Sequence, residues 1–412
     1  MDQRVGPTPL AFTNRRPDYG QMTSGTLIGD GLALDSDLFA AADSAVEAAL
    51  TEFGDIAPDL ACIFVSGGAP AETAAVLAHA AAAIGARNSL GCTAHGVIGQ
   101  GRGVESARGV SVWVARLPGV EVRAFHLEVM RTTESIAILG MPERREADVV
   151  GLVLADPWSF PIDGFIDHSD TVLNGLPLVG GLASGANQSG ETRLLLDGHV
   201  HERGAVGVFL GGDLSVHALV SQGCRPIGQP MTVTDSEDSL IFALAGRPAL
   251  EQAMAVVDAL PELDRAMAIR GLQLGVAIDE YRDDFAHGDF LVRGIVGADQ
   301  VAGSLTIGDV IGVGTTVQFQ LRDADAAHED LTEVLSAFRN SRSAQPIAGA
   351  LLITCTGRGR SLFASGDHDI DSVRDTLGID RVAGFFAAGE IGPVAGRNHL
   401  HGFTATVLAF CG

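Results

Sequence analysis

The chain contains no lysine: all 27 of its basic residues are arginine. That absence excludes a lysine Schiff base, a pyridoxal phosphate anchor and a Walker-type phosphate loop. Cysteine is sparse as well. Cys62, Cys92, Cys224, Cys355 and Cys411 are widely spaced with no C-x-x-C, which fits neither a zinc site nor a disulfide framework and suits a reducing cytosol. Positive charge is scarce, and the net charge of -24 argues against nucleic acid and against an anionic membrane surface as partners. Individual arginines can still hold an anionic ligand inside a pocket. Long apolar runs are missing too: the most apolar stretch, 74–86, is too short to span a bilayer and contains His79. No charged-then-apolar leader opens the sequence. These absences predict a cytoplasmic protein.

What the chain has in quantity is small and aliphatic residues: 52 glycines, 46% hydrophobic residues and a positive mean hydropathy. At 412 residues it is long enough for two domains. One pattern, G-x-x-A-x-G, occurs three times, at Gly91–Gly96, Gly180–Gly185 and Gly384–Gly389. A short apolar run precedes each copy (Ala61–Val65, Val149–Ala155 and Gly349–Thr354), a helical stretch fills each gap, and a strand-like run follows. Small residues at a strand end let another backbone, or a ligand, come close. Tight packing between duplicated units explains the same pattern, and spacing alone does not separate the two.

Helical spacing predicts helices over 35–53, 70–84, 161–173, 248–260 and 324–338. Val110–Val114 and Val120–Leu127 read as a hairpin pair, and turns at Asp197-Gly198 and Gly211-Gly212-Asp213 predict further hairpins. Strand–helix–strand units joined to hairpins imply a mixed α/β (α+β) architecture of repeated units with mixed sheets.

Several segments together resemble the FIST family, bacterial sensory domains also found in a eukaryotic F-box protein. On the N-terminal side these are Leu178–Gly185, Ala205–Val208, Ser221–Gly228 and Val233-Thr234. On the C-terminal side they are Phe290–Arg293, Gln318–Asp323, Cys355–Arg360, Gly384–Phe386, Gly389–Pro393 and His401–Thr404. The resemblance implies a loose arm over 1–26, an N-terminal FIST domain over 27–246 and a C-terminal one over 247–412. It implies a cytoplasmic sensor for a small polar metabolite, an amino acid among the ligands proposed for the family, with a separate signalling partner. Some family members are haem-containing nitric oxide sensors, which supplies an alternative; His95, His217 and His401 are then the candidate axial ligands. A cysteine-dependent hydrolase or transferase is the other alternative.

The candidate ligand-binding residues are Arg322, Cys355, Arg358, Gly359 and Glu390 on the C-terminal side and Gly180, Gly181 and Ser184 on the N-terminal side. Arginine offers a planar fork for a carboxylate, and Glu390 suits an ammonium group. An arginine beside Cys355 lowers a thiol pKa and makes it reactive; the bland account is a buried cysteine with Arg358 bridging to an acid such as Glu390. Cys92 with His95, and Cys224 beside Arg225, repeat that ambiguity. His399-x-His401 and His199-x-His201 place paired imidazoles on one strand face, with no third metal ligand fixed by spacing. Ser66-Gly67-Gly68 before Pro70 reads either as an anion-binding helix start or as a plain strand-to-helix turn.

Overall fold

The computed structural model describes residues 25–133, 135–282, 285, 288–341 and 346–412. The expected N-terminal arm lies outside the described residues except for Gly25 and Thr26.

The first repeat runs β1 (Leu27–Leu34), α1 (Leu38–Leu50), β2 (Leu60–Ser66), α2 (Pro70–Ile84), β3 (Asn88–Ala94), β4 (Gly96–Gly99), β5 (Arg102–Glu105) and β6 (Gly109–Arg116). The second is β7 (Val120–Arg131), β8 (Ile136–Leu139), β9 (Asp148–Ala155), α3 (Ile162–Val172), β10 (Leu178–Leu182), β11 (Leu194–Leu196), β12 (His199–His201) and β13 (Ala205–Gly212). The third opens with β14 (Val216–Gln222) and is interrupted by an insertion. That insertion holds β15 (Cys224–Pro226), β16 (Met231–Glu237), β17 (Leu240–Leu244), β18 (Arg247–Pro248), α4 (Ala249–Asp258), α5 (Glu262–Gly271), β19 (Leu272–Ala277), β20 (Phe290–Asp299), β21 (Ser304–Ile307) and β22 (Thr316–Arg322). The repeat then resumes with α6 (Ala324–Ser341), β23 (Ile347–Cys355), α7 (Gly359–Leu362), α8 (His368–Leu377), β24 (Val382–Ala387), β25 (Glu390–Val394), β26 (Arg397–His401) and β27 (Thr404–Cys411).

The three repeats build sheets of matching order, and each borrows a hairpin from another repeat. The first sheet reads β1-β6-β2-β3 and ends in β11-β12 of the second repeat. The second reads β8-β7-β13-β9-β10 and ends in β25-β26 of the third. The third reads β14-β27-β23-β24 and ends in β4-β5 of the first, closing the exchange into a ring. In each sheet the two strands joined through a helix, β2–β3, β9–β10 and β23–β24, are parallel.

The central strands are apolar on both faces because both faces are covered. In β2, Cys62 and Phe64 point to a core shared by all three sheets, whereas Ala61, Ile63 and Val65 pack under α1 and α2. Leu152 and Leu154 from β9 and Leu351 and Ile353 from β23 join that shared core. Phe64 stacks on Phe385 across repeats at 4.7 Å between ring centroids. Outer faces are covered by α3 in the second repeat and by α6 and α8 in the third.

The insertion is a small antiparallel barrel, β16-β17-β21-β20-β19-β22, closed because β22 pairs with both β19 and β16. Its interior holds Val233, Ile241, Leu274, Leu305, Val317 and Phe319. The architecture is the mixed α+β type that the sequence predicts. Among the described residues, no helix is long and apolar enough to cross a membrane.

Two hairpin expectations are corrected. β6 and β7 are strands, but β6 already has β1 and β2 on its two edges, so β7 leaves to pair with β13 and β8. Likewise β13 sits between β7 and β9, and the chain after Gly211-Gly212 crosses to β27 as β14. The Asp197-Gly198 turn does close a hairpin, β11–β12, with both residues at positive φ (48° and 78°).

Candidate functional site

The three G-x-x-A-x-G copies end β3, β10 and β24, and the ring of exchanged hairpins brings these ends together. The first glycine of each copy has the same job. A Cβ there would lie 2.2 Å from Ile63 O at Gly91, 1.9 Å from Val153 O at Gly180 and 1.7 Å from Leu352 O at Gly384. The parallel neighbour strand approaches too closely for any side chain, so this position serves packing in all three copies. Gly181 is equally closed in, with Gly389 O, the Ala387 methyl and Ile353 around it.

Ser184, the fifth residue of the second copy, ties the repeats to one another. Its hydroxyl donates to Phe386 O in the third repeat and accepts from the His95 amide of the first at 2.7 Å. Its own amide donates to Thr93 O at 3.2 Å. Leu182 N–H donates to Gly389 O at 2.8 Å, and Ala388 N–H returns to Leu182 O at 3.0 Å. One buried serine therefore bonds to both other repeats.

Above this junction opens a crevice of about 770 Å³ lined by all three repeats. The first repeat supplies Gly67, Gly68, Thr93, His95 and Ser106, the second Trp158, Ser184, Asn187 and Glu191, and the third Thr356 and Ala388. Strand ends bordering a crevice are the usual ligand positions of α/β sheets. Gly67 and Gly68 take φ of 74° and 89°, which only glycine adopts readily, and lead into α2. Ala69, the N-cap of α2, makes no side-chain cap bond, so the first-turn amides carry the helix's partial positive charge toward whatever occupies that end. Among the described lining residues, His95 and Glu191 alone ionise. His95 Nε2 lies 3.1 Å from Ser106 Oγ, and Glu191 accepts the Asn187 amide at 2.9 Å.

The C-terminal candidates gather in a buried network beside Thr356. Arg358 is fully buried, and its fork meets both oxygens of Asp369 at 2.8 and 2.9 Å, with a third, longer bond to Phe403 O. The acid that Arg358 bridges is thus Asp369, not Glu390. Its guanidinium and the Thr354 hydroxyl hold the Asp369 carboxyl well below the usual range despite burial. Glu390, also fully buried, accepts the Thr404 hydroxyl at 2.9 Å and the Thr404 amide at 3.2 Å. The Cys355 thiol lies against the same carboxyl. Burial pushes the Glu390 pKa up to about 8, so at neutral pH it is mainly a neutral acid.

The thiols are likewise masked. Burial, with Glu390 adding to it, raises the Cys355 pKa, outweighing the nearby arginine that the sequence reading relies on to lower it. Burial raises Cys92 well above its ordinary value and Cys224 to about 12. Arg225 beside Cys224 is engaged by Asp264 and Asp323 at 2.7 and 2.5 Å. Arg322 lies over the Phe403 ring at 4.7 Å and donates to Gly357 O. Glu105 of the exchanged β4–β5 hairpin fills the space a Cβ at Gly359 would need and accepts the Arg360 amide at 2.7 Å.

Of the imidazoles singled out for haem, His401 is buried and donates Nε2–H to Gly392 O, His95 engages Ser106, and His217 packs on Phe338. Among the described residues, no group of three or more His, Cys, Asp or Glu is placed to hold a metal ion. Sequence reasoning overlooked Asp369, Glu191 and Trp158. An Asp-Pro-Trp turn at a strand end was the available signal for the last.

The fold and the crevice define a class: a mixed α+β protein of interlocked repeats that holds a small-molecule cavity at their junction. The chain matches the FIST N domain over residues 59–247 and the FIST C domain over 229–393, and it belongs to the FIST family of sensory ligand-binding domains. It is 42% identical over 383 residues to an uncharacterized protein of Mycobacterium tuberculosis, covering 93% of this chain and 99% of the relative. A Mycobacterium bovis protein is 41% identical over the same length, covering 93% and 98%. A solved structure described as "Cyanuric acid hydrolase: evolutionary innovation by structural concatenation" covers 93% of the chain at 11% identity, with a TM-score of 0.28. That score is too low for any argument to rest on.

Proposed function

We propose that this FIST protein is a cytoplasmic sensor that binds a small zwitterionic metabolite of the amino-acid class in the central crevice, making and breaking no covalent bond. The carrying observation is the crevice itself, built where all three repeats meet and lined by one carboxylate, Glu191, beside the uncapped start of α2. Glu191 suits an ammonium group, and the Gly67-Gly68 turn with the first amides of α2 suits a carboxylate. Trp158 and the methyls of Ala183 and Ala388 supply apolar surface for a side chain. Ser184 keeps one lone pair for the ligand, since its proton and its other lone pair are already engaged.

In this reading Arg322, Cys355, Arg358, Gly359 and Glu390 form the rigid wall behind Thr356, and Gly180 and Gly181 hold the second motif in place. Because the crevice walls come from three repeats, occupancy bears on their relative position, which a signalling partner can read. Five free cysteines fit a reducing compartment.

A thermal-shift screen with the proteinogenic amino acids tests this. Ligand binding to the folded state at a hundred times Kd adds about 2.7 kcal/mol of stability. At least one amino acid is expected to raise the melting temperature, and Glu191→Gln to abolish that rise. No shift with any amino acid, or a shift untouched by Glu191→Gln, refutes the assignment.

A further inference from the structure

A second cleft, of about 630 Å³, lies beside the central crevice, and Trp158 lines both. Its arginines balance its glutamates, in a molecule that is otherwise strongly acidic. The chain carries a net -24, yet this cleft is lined by Arg131, Arg203, His126 and His201 against Glu128 and Glu202. Glu202 also pairs with Arg193 at 3.2 Å, which brings a third guanidinium to the edge of the cleft. Arg131 donates to the Ser159 carbonyl at 3.2 Å, and its charge meets no carboxylate in that bond. His126 and His201 stack at 3.8 Å between centroids, with Glu128 3.7 Å from His126 Nδ1. Two guanidinium groups in one cavity supply paired forks for a compact anion, and His201, which burial and the neighbouring imidazoles push toward its neutral form, adds a ring N–H donor rather than a charge.

The wall facing these cations adds a second requirement. Trp158 is 49% exposed, in contrast to Trp113, which is fully buried. A half-exposed indole at a cavity wall offers its face to a flat ring.

We propose that this lateral cleft is a second binding site, separate from the central crevice, for a flat-ring organic phosphate of the nucleoside monophosphate type. The phosphoryl group sits among Arg131, Arg203 and His201, and the ring lies on Trp158. The shared tryptophan makes the two sites neighbours, so a ligand in one alters a wall of the other.

The test is titration of the full chain with adenosine monophosphate, adenosine and inorganic phosphate, read by tryptophan emission. The chain has two tryptophans and Trp113 is buried, so a change on addition of ligand reports Trp158. Saturable quenching by the monophosphate is expected, at least about tenfold tighter than by adenosine or phosphate alone. Arg203→Gln, an exposed change, should weaken it by about tenfold while the melting temperature holds. Glu191→Gln, in the other crevice, should leave it unchanged. Absent quenching, equal binding of adenosine, or indifference to Arg203→Gln overturns the proposal. Loss of monophosphate binding in Glu191→Gln also overturns it, by moving the ligand to the central crevice.

Discussion

Replacing Glu390 by glutamine should stabilise this protein at neutral and alkaline pH, although it removes a carboxyl group from the heart of a polar network. Glu390 is fully buried, and the nearby Arg358 spends its fork on Asp369. Desolvation therefore dominates and lifts its pKa from 4.5 to about 8. An acid whose folded pKa is raised contributes fully below its unfolded pKa and loses that contribution as pH rises toward the folded value. Between 4.5 and about 8 the loss runs at about 1.4 kcal/mol per pH unit. From pH 5 to pH 7 wild type thus loses about 3 kcal/mol through this one group. Glutamine has nearly the same shape, keeps an oxygen for the Thr404 hydroxyl and amide, and does not titrate. Urea unfolding of both proteins from pH 5 to pH 8.5 checks the claim, since contributions of distant groups cancel in the difference. The expected result is near-equality at the acid end and a Glu390→Gln advantage that widens as pH rises. A variant that is less stable at pH 7, or a gap that does not change with pH, would show that the carboxyl is ionised in the fold.

Ser184→Ala removes the hydroxyl that bridges Phe386 O and the His95 amide, leaving a buried carbonyl and a part-buried amide without this partner at about 1–3 kcal/mol in all. A lowered urea midpoint with an unchanged slope is expected; a loss below 1 kcal/mol would mean the junction relaxes or water substitutes. Gly384→Ala places a methyl 1.7 Å from Leu352 O and must push β23 and β24 apart, which costs about 1–3 kcal/mol or more. Gly164→Ala in α3, where nothing lies within 4 Å, should instead stabilise by about 0.5–1 kcal/mol. Thermal melts of the pair separate close packing from a generic glycine effect, and equal outcomes would contradict the assigned role.

How much of this was legible in the sequence depends on the range of the interaction. α2 falls at Pro70–Ile84 as its proline start and apolar spacing predict. Those signals are local. The partners of β6 and β7 were not legible, because whether adjacent strands form a hairpin depends on whether an edge is free. Strands β1 and β2 take both edges of β6, and the second is separated from it by α2 and three further strands. The acid facing Arg358 was illegible for the same reason: Asp369 lies on a later helix, while Glu390 looked adjacent only because it follows the third motif. The thiol beside Arg358 was read with the wrong sign, since sequence shows a neighbouring charge but not the burial that outweighs it.

The exchanged hairpins also explain why the G-x-x-A-x-G copies are alike at their first residue and unlike at their fifth. The first glycine meets the same neighbour in each repeat, a carbonyl of the parallel strand at its side, so the constraint is repeated three times. The fifth residue lies where the repeats meet one another, and there the copies carry His95, Ser184 and Ala388. A small junction has room for one bridging hydroxyl; three serines would leave donors and acceptors competing for the same carbonyls. Asymmetry at the fifth position is what turns a ring of similar repeats into a crevice with distinct walls, an imidazole on one side and a methyl on another. A ligand with chemically different ends can be held in only one orientation by such walls, and that orientation follows from the position at which the three copies diverge.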